Sequence, residues 1–147
     1  MAALRRPGSR RARLPADDQL TRVAERVLRW EGARRARIDL ALLGPAAMRR
    51  LNRRATGRRG LTDVLAFTLP QPDGTILGDV YICPAAARAF VQRGLADAVD
   101  EELVRLAVHG TLHVLGYDHP DGPGRTRSAM WRRQERYVRR LMAGRRA

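Results

Sequence analysis

The chain has 147 residues, enough for one domain with a single hydrophobic core, and 44% of them are hydrophobic, as is normal for a globular protein. No stretch approaches the roughly 18 apolar residues of a membrane span, and a lone cysteine, Cys83, excludes an intramolecular disulfide and fits a reducing, cytoplasmic location. The basic N-terminus lacks the apolar segment of a secretory signal, so we expect a disordered arm at 1–15 and one domain at 16–147.

The net charge of +14 is unevenly distributed along the chain. Residues 1–60 carry 17 arginines and 5 acidic residues, residues 61–124 carry 3 and 9, and residues 125–147 carry 9 and 1. Two basic segments therefore flank an acidic one, and the flanks could hold a polyanion while chemistry takes place between them. The charge pattern favours a nucleic acid as the partner over a merely solvated arginine-rich surface.

Hydrophobic periodicity predicts eight elements in the order αβαββααα. The first is a helix that begins at Asp17, with apolar residues at helical spacing. A turn signal at 71–74, Gln-Pro-Asp-Gly, joins two apolar segments into a hairpin. The predicted helices cover about 17–32, 46–54, 84–92, 100–115 and 130–142, the strands cover 36–43, 62–69 and 75–83, and 120–124 is a loop. Few strands and several helices indicate an α+β fold, with helices packed around a small mixed β-sheet.

The helix at 100–115 carries the most informative segment of the sequence. We expect it to begin at the acidic run 100–102, because carboxylates stabilise the positive end of a helix. All three histidines, His109, His113 and His119, lie in the segment HGTLHVLGYDH. The first two share a helix face, and Gly116 can end the helix so that the chain returns with the third. Three imidazoles at this spacing predict a zinc site at the end of a helix, with an open fourth position typical of catalysis.

The same segment can be aligned with the zinc-peptidase pattern HExxHxxGxxH, whose glutamate is the general base. Gly110 stands at the position of that glutamate, which argues against peptide hydrolysis. We expect Gly110 at an exposed helix position, where a glutamate would fit. Zinc also polarises phosphoryl oxygens, and arginine binds phosphodiesters through paired hydrogen bonds.

The segment HGTLHVLGYDH, preceded by EELVRLAV, resembles the motif of the YbeY family of bacterial endoribonucleases and rRNA maturation factors. LNRRATGRRGLTDVLAF and LGDVYIC resemble two further segments of that family, and the similarity covers roughly 20–142. The resemblance implies a single hydrolase domain with one zinc ion on the three histidines and no other cofactor. It implies cleavage of single-stranded RNA in maturation of the 16S rRNA 3′ end and in ribosome quality control, with the small ribosomal subunit as partner and the cytoplasm, not a membrane, as location.

One position departs from this resemblance. Many family members have an aromatic–arginine pair six residues before the threonine that corresponds to Thr62, and that arginine is thought to hold RNA. Ala55 and Thr56 occupy the place of the pair here. The RNA-binding candidates are therefore the neighbouring arginines, Arg53, Arg54, Arg58 and Arg59.

The sequence does not indicate a general base. Asp118, beside His119, could accept a hydrogen bond from a ligand imidazole, or it could cap the backbone of its own turn. The leading interpretation is a metal-dependent endoribonuclease. The alternatives are a non-catalytic RNA-binding ribosome assembly factor with a structural zinc and, disfavoured by Gly110, a zinc peptidase.

Overall fold

A computed structural model describes residues 17–91 and 96–146. The elements in these ranges are α1 (Asp17–Trp30), β1 (Ala36–Leu42), α2 (Pro45–Thr56), β2 (Val64–Pro70), β3 (Ile76–Ile82), α3 (Pro84–Phe90), α4 (Ala96–Val114), a 3₁₀ segment (Gly122–Arg127) and α5 (Ala129–Arg146). The predicted order αβαββααα is confirmed. The arm predicted at 1–15 and the residue Gln92, where the third helix was expected to end, lie outside the described residues. No helix in the described part of the chain combines the length and apolar character needed to cross a bilayer.

The sheet is mixed, with the strand order β1–β3–β2 in the described chain. The strands β2 and β3 pair antiparallel, as the turn signal predicted, and Gly74 closes the turn with a φ of 88° that favours glycine. The strand β1 pairs parallel with β3, from Ala36 opposite Ile76 to Leu42 opposite Ile82. A parallel pair requires a long connection, which α2 and the β2 strand provide. The predicted α+β fold with a small mixed sheet is therefore confirmed.

The core lies between one face of the sheet and the helices α1, α4 and α5. The helix α4 is the centre of this core, since apolar residues on several of its faces are buried. A helix that is apolar nearly all round must be covered on several sides. The helix α4 packs against the strands β2 and β3 of the sheet and against the helices α1 and α5. The fully or almost fully buried side chains of α4 include Leu103, Val104, Leu106, Ala107, Val108, Leu112 and Val114.

Two glycines allow α4 to approach β3 closely. A Cβ atom at Gly78 would lie 2.4 Å from Cγ1 of Val114, and one at Gly110 would lie 2.6 Å from Cγ1 of Val80. Each glycine leaves the space that a valine methyl group from the other element fills. The expectation that Gly110 is exposed is therefore wrong, because this residue is buried at the contact between helix and sheet. A glutamate would not fit there.

The start of α4 also differs from the prediction. The helix is already formed at Ala96, so the acidic residues at 100–102 lie inside it and do not cap it. Glu101 and Glu102 instead pair with Arg105, which follows four and three residues later on the same helix face. The loop predicted at 120–124 is in part helical, since the 3₁₀ segment begins at Gly122 with a proline in its first turn.

Candidate metal centre

The three histidines lie together at the end of α4. His109 and His113 are in the last turns of the helix, and their ring centroids are 4.5 Å apart. The ring of His119 lies 5.0 Å from each of them. One ligand atom from each residue can be chosen so that all three atoms lie within 4.8 Å of one another. This arrangement could hold a metal ion, as the spacing predicted.

The turn that returns His119 to the helix is a glycine-terminated helix end. Gly116 has a φ of 99°, and its N–H donates to the carbonyl oxygen of His113. The N–H of Tyr117 reaches further back, to the carbonyl oxygen of Leu112 at 3.1 Å. These two bonds satisfy helix-end carbonyl groups and reverse the chain. The predicted role of Gly116 is confirmed.

The turn is also held from outside, through Glu31 at the end of α1. The carboxylate of Glu31 accepts hydrogen bonds from the hydroxyl groups of Tyr117 (2.6 Å) and Tyr137 and from Nη1 of Arg133 (2.8 Å). Burial alone would raise the pKa of Glu31, but these three donors outweigh it and lower the pKa. Tyr117, one of the five residues between the second and third histidines, is therefore linked through Glu31 to α5.

Hydrogen bonds at Nδ1 determine which nitrogen of each imidazole is free. Nδ1 of His113 lies 3.0 Å from the carbonyl oxygen of Tyr117, and Nδ1 of His119 lies 3.0 Å from that of Pro120. A carbonyl oxygen can only accept, so both Nδ1 atoms carry the proton. The Nε2 atoms therefore keep their lone pairs, which is the form that binds a metal.

The tautomer of His109 is set by a buried glutamine. Nδ1 of His109 lies 2.6 Å from Oε1 of Gln134, a side chain with 1% of its surface exposed. The amide orientation of Gln134 follows from its other contact, because its Nε2 donates to the carboxylate of Glu135 at 3.0 Å. Oε1 must then accept the Nδ1 proton of His109. All three histidines thus present Nε2.

Glu135 is in turn held by an arginine on the neighbouring helix. Nε and Nη2 of Arg105 each lie 2.9 Å from one carboxylate oxygen of Glu135, and Nη1 lies 2.8 Å from Glu102. This two-point geometry orients the carboxylate. The side chain of Gln134 is therefore positioned by a chain of contacts that joins α4 to α5.

The environment of the cluster favours neutral imidazoles. Burial lowers the pKa of His109 to about 4, and the neighbouring charges of His113, Arg125 and His119 act in the same direction. Burial also lowers the pKa of His113, with a further contribution from His119. Neutral imidazoles repel each other less and accept a cation more readily. The residues therefore fit a divalent metal ion chemically, as nitrogen donors with available lone pairs.

Asp118 takes the second of the two roles considered for it. Its Oδ1 accepts a hydrogen bond from the backbone N–H of His119 at 2.8 Å, so it caps its own turn. The acceptors for the three imidazoles are Gln134 and two backbone carbonyl groups, and Asp118 is not among them. Its negative charge partly offsets the lowering of the pKa of His113 by burial, which is a weaker, electrostatic influence on the cluster.

The candidate RNA-binding arginines lie on the surface of another region, in the last turn of α2 and the loop after it. The backbone of this loop is ordered by Asn52, which is buried and donates through Nδ2 to the carbonyl oxygen of Gly60 at 3.2 Å. The hydroxyl group of Thr56 donates a hydrogen bond to the carbonyl oxygen of Asn52 at 2.7 Å and accepts one from the backbone N–H of Arg58. The candidates are all exposed, and no described hydrogen bond or ion pair joins them to the histidine cluster: Arg53, Arg54, Arg58 and Arg59.

Two residues of the site were not singled out from the sequence. Gln134 lies on the buried stripe of α5, at helical spacing from Met130 and Val138, so a polar residue on an apolar stripe was the available signal. Arg125 lies in the 3₁₀ segment and contributes positive charge to the surroundings of His109. Nothing in the local sequence distinguishes it from the other arginines.

Comparison with known proteins agrees with this geometry. The family model described as endoribonuclease YbeY matches residues 10–142. The endoribonuclease YbeY of Anaeromyxobacter sp. (strain Fw109-5) is 47% identical over 88 residues, which are 57% of this chain and 44% of that protein. The endoribonuclease YbeY of Frankia casuarinae is 38% identical over 117 residues, which are 70% of this chain and 56% of that protein. The chain thus spans about half the length of these relatives.

A solved structure is similar over most of the chain. The solution structure of TM1509 from Thermotoga maritima has a TM-score of 0.62 and 26% sequence identity, and the match covers 88% of this chain and 83% of that one. The fold, the histidine cluster at the end of α4 and the match of the family model over 10–142 lead to one conclusion. The chain belongs to the YbeY family.

Proposed function

We propose that the protein is a zinc-dependent endoribonuclease that cleaves single-stranded RNA. The observation that carries this proposal is the cluster of three histidines, each with Nδ1 bonded to another acceptor and Nε2 available. Imidazole nitrogens suit zinc, and three protein ligands with an open fourth position are typical of catalytic zinc sites. A zinc ion at this position would supply a Lewis acid for phosphodiester hydrolysis.

The composition of the cluster favours catalysis over a purely structural zinc. In the described chain, no cysteine or carboxylate joins the three histidines within ligand distance of one another. Asp118, the nearest candidate in sequence, is used by the backbone of its turn. A structural zinc needs four protein ligands in a closed tetrahedron. The non-catalytic assembly factor therefore has less support than the enzyme.

Gly110 provides the argument against peptide hydrolysis. A Cβ atom at Gly110 would lie 2.6 Å from Cγ1 of Val80, closer than van der Waals contact, so this position faces β3 and has no room for a glutamate that could act as a base. Water for the proposed reaction must be activated without a helix glutamate. The chain's own residues would bind the RNA, orient the scissile phosphate and hold the three imidazoles in place, and hydrolysis would add water across one P–O bond.

The wider role is proposed from the family and from the charge pattern. The YbeY relatives are named endoribonucleases, and the chain carries basic segments on both sides of its acidic metal segment. We propose that residues 16–147 form one hydrolase domain that acts in 16S rRNA 3′-end maturation and ribosome quality control, in the cytoplasm and at the small ribosomal subunit. Phosphate contacts from residues 53–60, the basic loop that carries Arg53, Arg54, Arg58 and Arg59, would position the RNA without reading its sequence.

The test is RNA cleavage by the purified protein. Wild-type protein with zinc should cleave single-stranded RNA, and a chelator should abolish the activity until zinc is added back. The variant His113→Ala should be inactive while its far-ultraviolet circular dichroism stays native, because the core contributes most of the stability of a domain of this size. RNA binding without cleavage under every metal condition would favour the assembly factor, and zinc-dependent peptide cleavage would contradict the proposal.

A further inference from the structure

One arginine of the described chain lies next to the histidine cluster. Arg125 is in the 3₁₀ segment Gly122–Arg127, which begins three residues after His119. This segment packs against the turn that carries His119, since a Cβ atom at Gly124 would lie 3.2 Å from Cγ of Pro120, whose carbonyl oxygen accepts from Nδ1 of His119. Trp131, beside Arg125, lies one turn before Gln134 on α5, and Gln134 accepts the hydrogen bond from His109. The segment that carries Arg125 therefore lies beside the cluster, against the residues that orient His109 and His119.

The guanidinium group of Arg125 lies near an aromatic ring, but its charge is not paired within the described part of the chain. Its Nε is buried without a hydrogen-bond partner, and no described ion pair involves its side chain. By contrast, Arg105 is paired with Glu101, Glu102 and Glu135, and Arg133 is paired with Glu31. A buried donor without an acceptor is unfavourable, and a ligand that offers an acceptor relieves this.

The side chain also has a fixed direction. The Cζ atom of Arg125 lies 5.9 Å from the ring centroid of Trp131, at the start of α5. Ser128, between the two residues, accepts from the N–H of Trp131 and donates to the carbonyl oxygen of Arg125 at 2.7 Å. The aromatic ring and this turn together hold the arginine beside the cluster. An arginine that is fixed in place loses less conformational entropy when it binds a ligand.

We infer that Arg125 binds the non-bridging oxygens of the phosphodiester that is held at the three histidines. The inference rests on the proposed function and names the residue that contacts the scissile phosphate. A planar guanidinium group matches two phosphate oxygens, and it places positive charge where negative charge develops during hydrolysis. The exposed arginines of the basic loop hold the rest of the RNA, whereas Arg125 acts at the bond that is cleaved.

The test compares Arg125→Met with Arg127→Met, an exposed arginine of the same 3₁₀ segment. Methionine keeps an apolar stem against Trp131 and removes the donors. With zinc present, kcat/KM for single-stranded RNA should fall about 100-fold in Arg125→Met. It should stay within about threefold of wild type in Arg127→Met, which loses one exposed phosphate contact at most. In Arg125→Lys, which keeps the charge but loses the planar guanidinium group, kcat/KM should fall about tenfold.

Zinc affinity separates a role in phosphate binding from damage to the metal site. Measured by competition with a chromophoric chelator, zinc binding to Arg125→Met should be unchanged or tighter, because a neighbouring positive charge is removed. Weaker zinc binding in parallel with lost activity would overturn the inference, as would equal activity of the two methionine variants. If Arg125→Met does not fold, the RNA-cleavage activity of Arg125→Lys is the test instead. Wild-type activity of Arg125→Lys would then overturn the inference.

The inference can fail separately from the proposed function. If the wild-type protein cleaves RNA and the two methionine variants are equal, only the inference fails. If the wild-type protein cleaves no RNA, the proposed function fails. The affinity of the metal-free protein for a labelled single-stranded RNA then still tests Arg125, since Arg125→Met should bind more weakly than Arg127→Met. Equal affinities in that experiment would contradict the inference.

Discussion

The histidine cluster and the basic loop at 53–60 are held in place in different ways. In the cluster, every imidazole has a hydrogen bond at Nδ1, and His109 and its partner Gln134 are buried. In the basic loop, the backbone is ordered by Asn52, but the arginine side chains are exposed. The cluster thus has a defined geometry before any ligand arrives, whereas the loop offers charge without fixed direction. Chemistry requires the first kind of region, and holding a polyanion requires only the second.

The largest effect is expected from breaking the packing beneath the cluster. Gly110→Glu would place a carboxylate against Val80, with both overpacking and an unpaired buried charge. We expect a loss of more than about 4 kcal/mol in the free energy of unfolding, measured by urea denaturation. Gly144→Glu is the matched control, since no atom lies within 4 Å of a Cβ there. Equal stability of the two variants would mean that α4 and β3 are less closely packed.

The next effect follows from the burial of His109. Its pKa of about 4 in the folded protein lies below the ordinary value of 6.5, so between these values the unfolded chain binds a proton that the folded chain does not. The contribution of His109 to the free energy of unfolding of the metal-free protein is therefore fully present above pH 6.5. It falls by up to about 3 kcal/mol as the pH drops towards 4. Urea unfolding in chelator, at several pH values, measures this slope. In His109→Gln, the free energy of unfolding should depend less steeply on pH over this interval. A slope identical to that of the wild type would contradict the lowered pKa of His109.

A smaller effect is expected from the glutamine that orients His109. Gln134→Leu removes the acceptor for Nδ1, so either imidazole nitrogen can carry the proton and the ring is less well oriented. Zinc affinity should fall about 10- to 100-fold, measured by competition with a chelator. Gln19→Leu, at an exposed position of α1, is the control and should bind zinc as the wild type does. Unchanged affinity in Gln134→Leu would show that the cluster does not depend on its neighbours.

The smallest effect concerns the basic loop. Arg58→Ala together with Arg59→Ala should weaken RNA binding by a similar factor for unrelated sequences. The slope of log affinity against log salt should fall by about 1.4, since each lost phosphate contact on a single strand contributes about 0.7. Fluorescence anisotropy over a salt series measures it, with Arg34→Ala and Arg37→Ala, two exposed arginines elsewhere, as control. An unchanged slope would show that other arginines bind the RNA.

The parts of the fold that could be predicted are those with a local cause. The order of elements followed from hydrophobic periodicity, and the return of His119 followed from a glycine after the helix. The parallel pairing of β1 with β3 and the burial of Gly110 depend on contacts distant in sequence. The start of α4 was misplaced because acidic residues also pair with an arginine one turn later.

The same distinction applies to the site. The three histidines could be identified because ligand spacing on a helix is a local property. Gln134 could not be assigned to His109, because the two residues are on different helices and 25 positions apart. Arg125 is one of 29 arginines, and only the folded chain shows which of them lies beside the cluster.

The contact between His109 and Gln134 also bears on the order of events during synthesis. The ribosome makes all three histidines before it makes α5, so the nascent chain first carries its ligands without the acceptor that orients His109. The 15 residues from His119 to Gln134 take roughly 1–3 s at about 5–20 residues per second. During this interval His109 lacks the partner that orients its ring. The proposed nuclease would therefore gain a fully oriented His109 only after its last helix has been made.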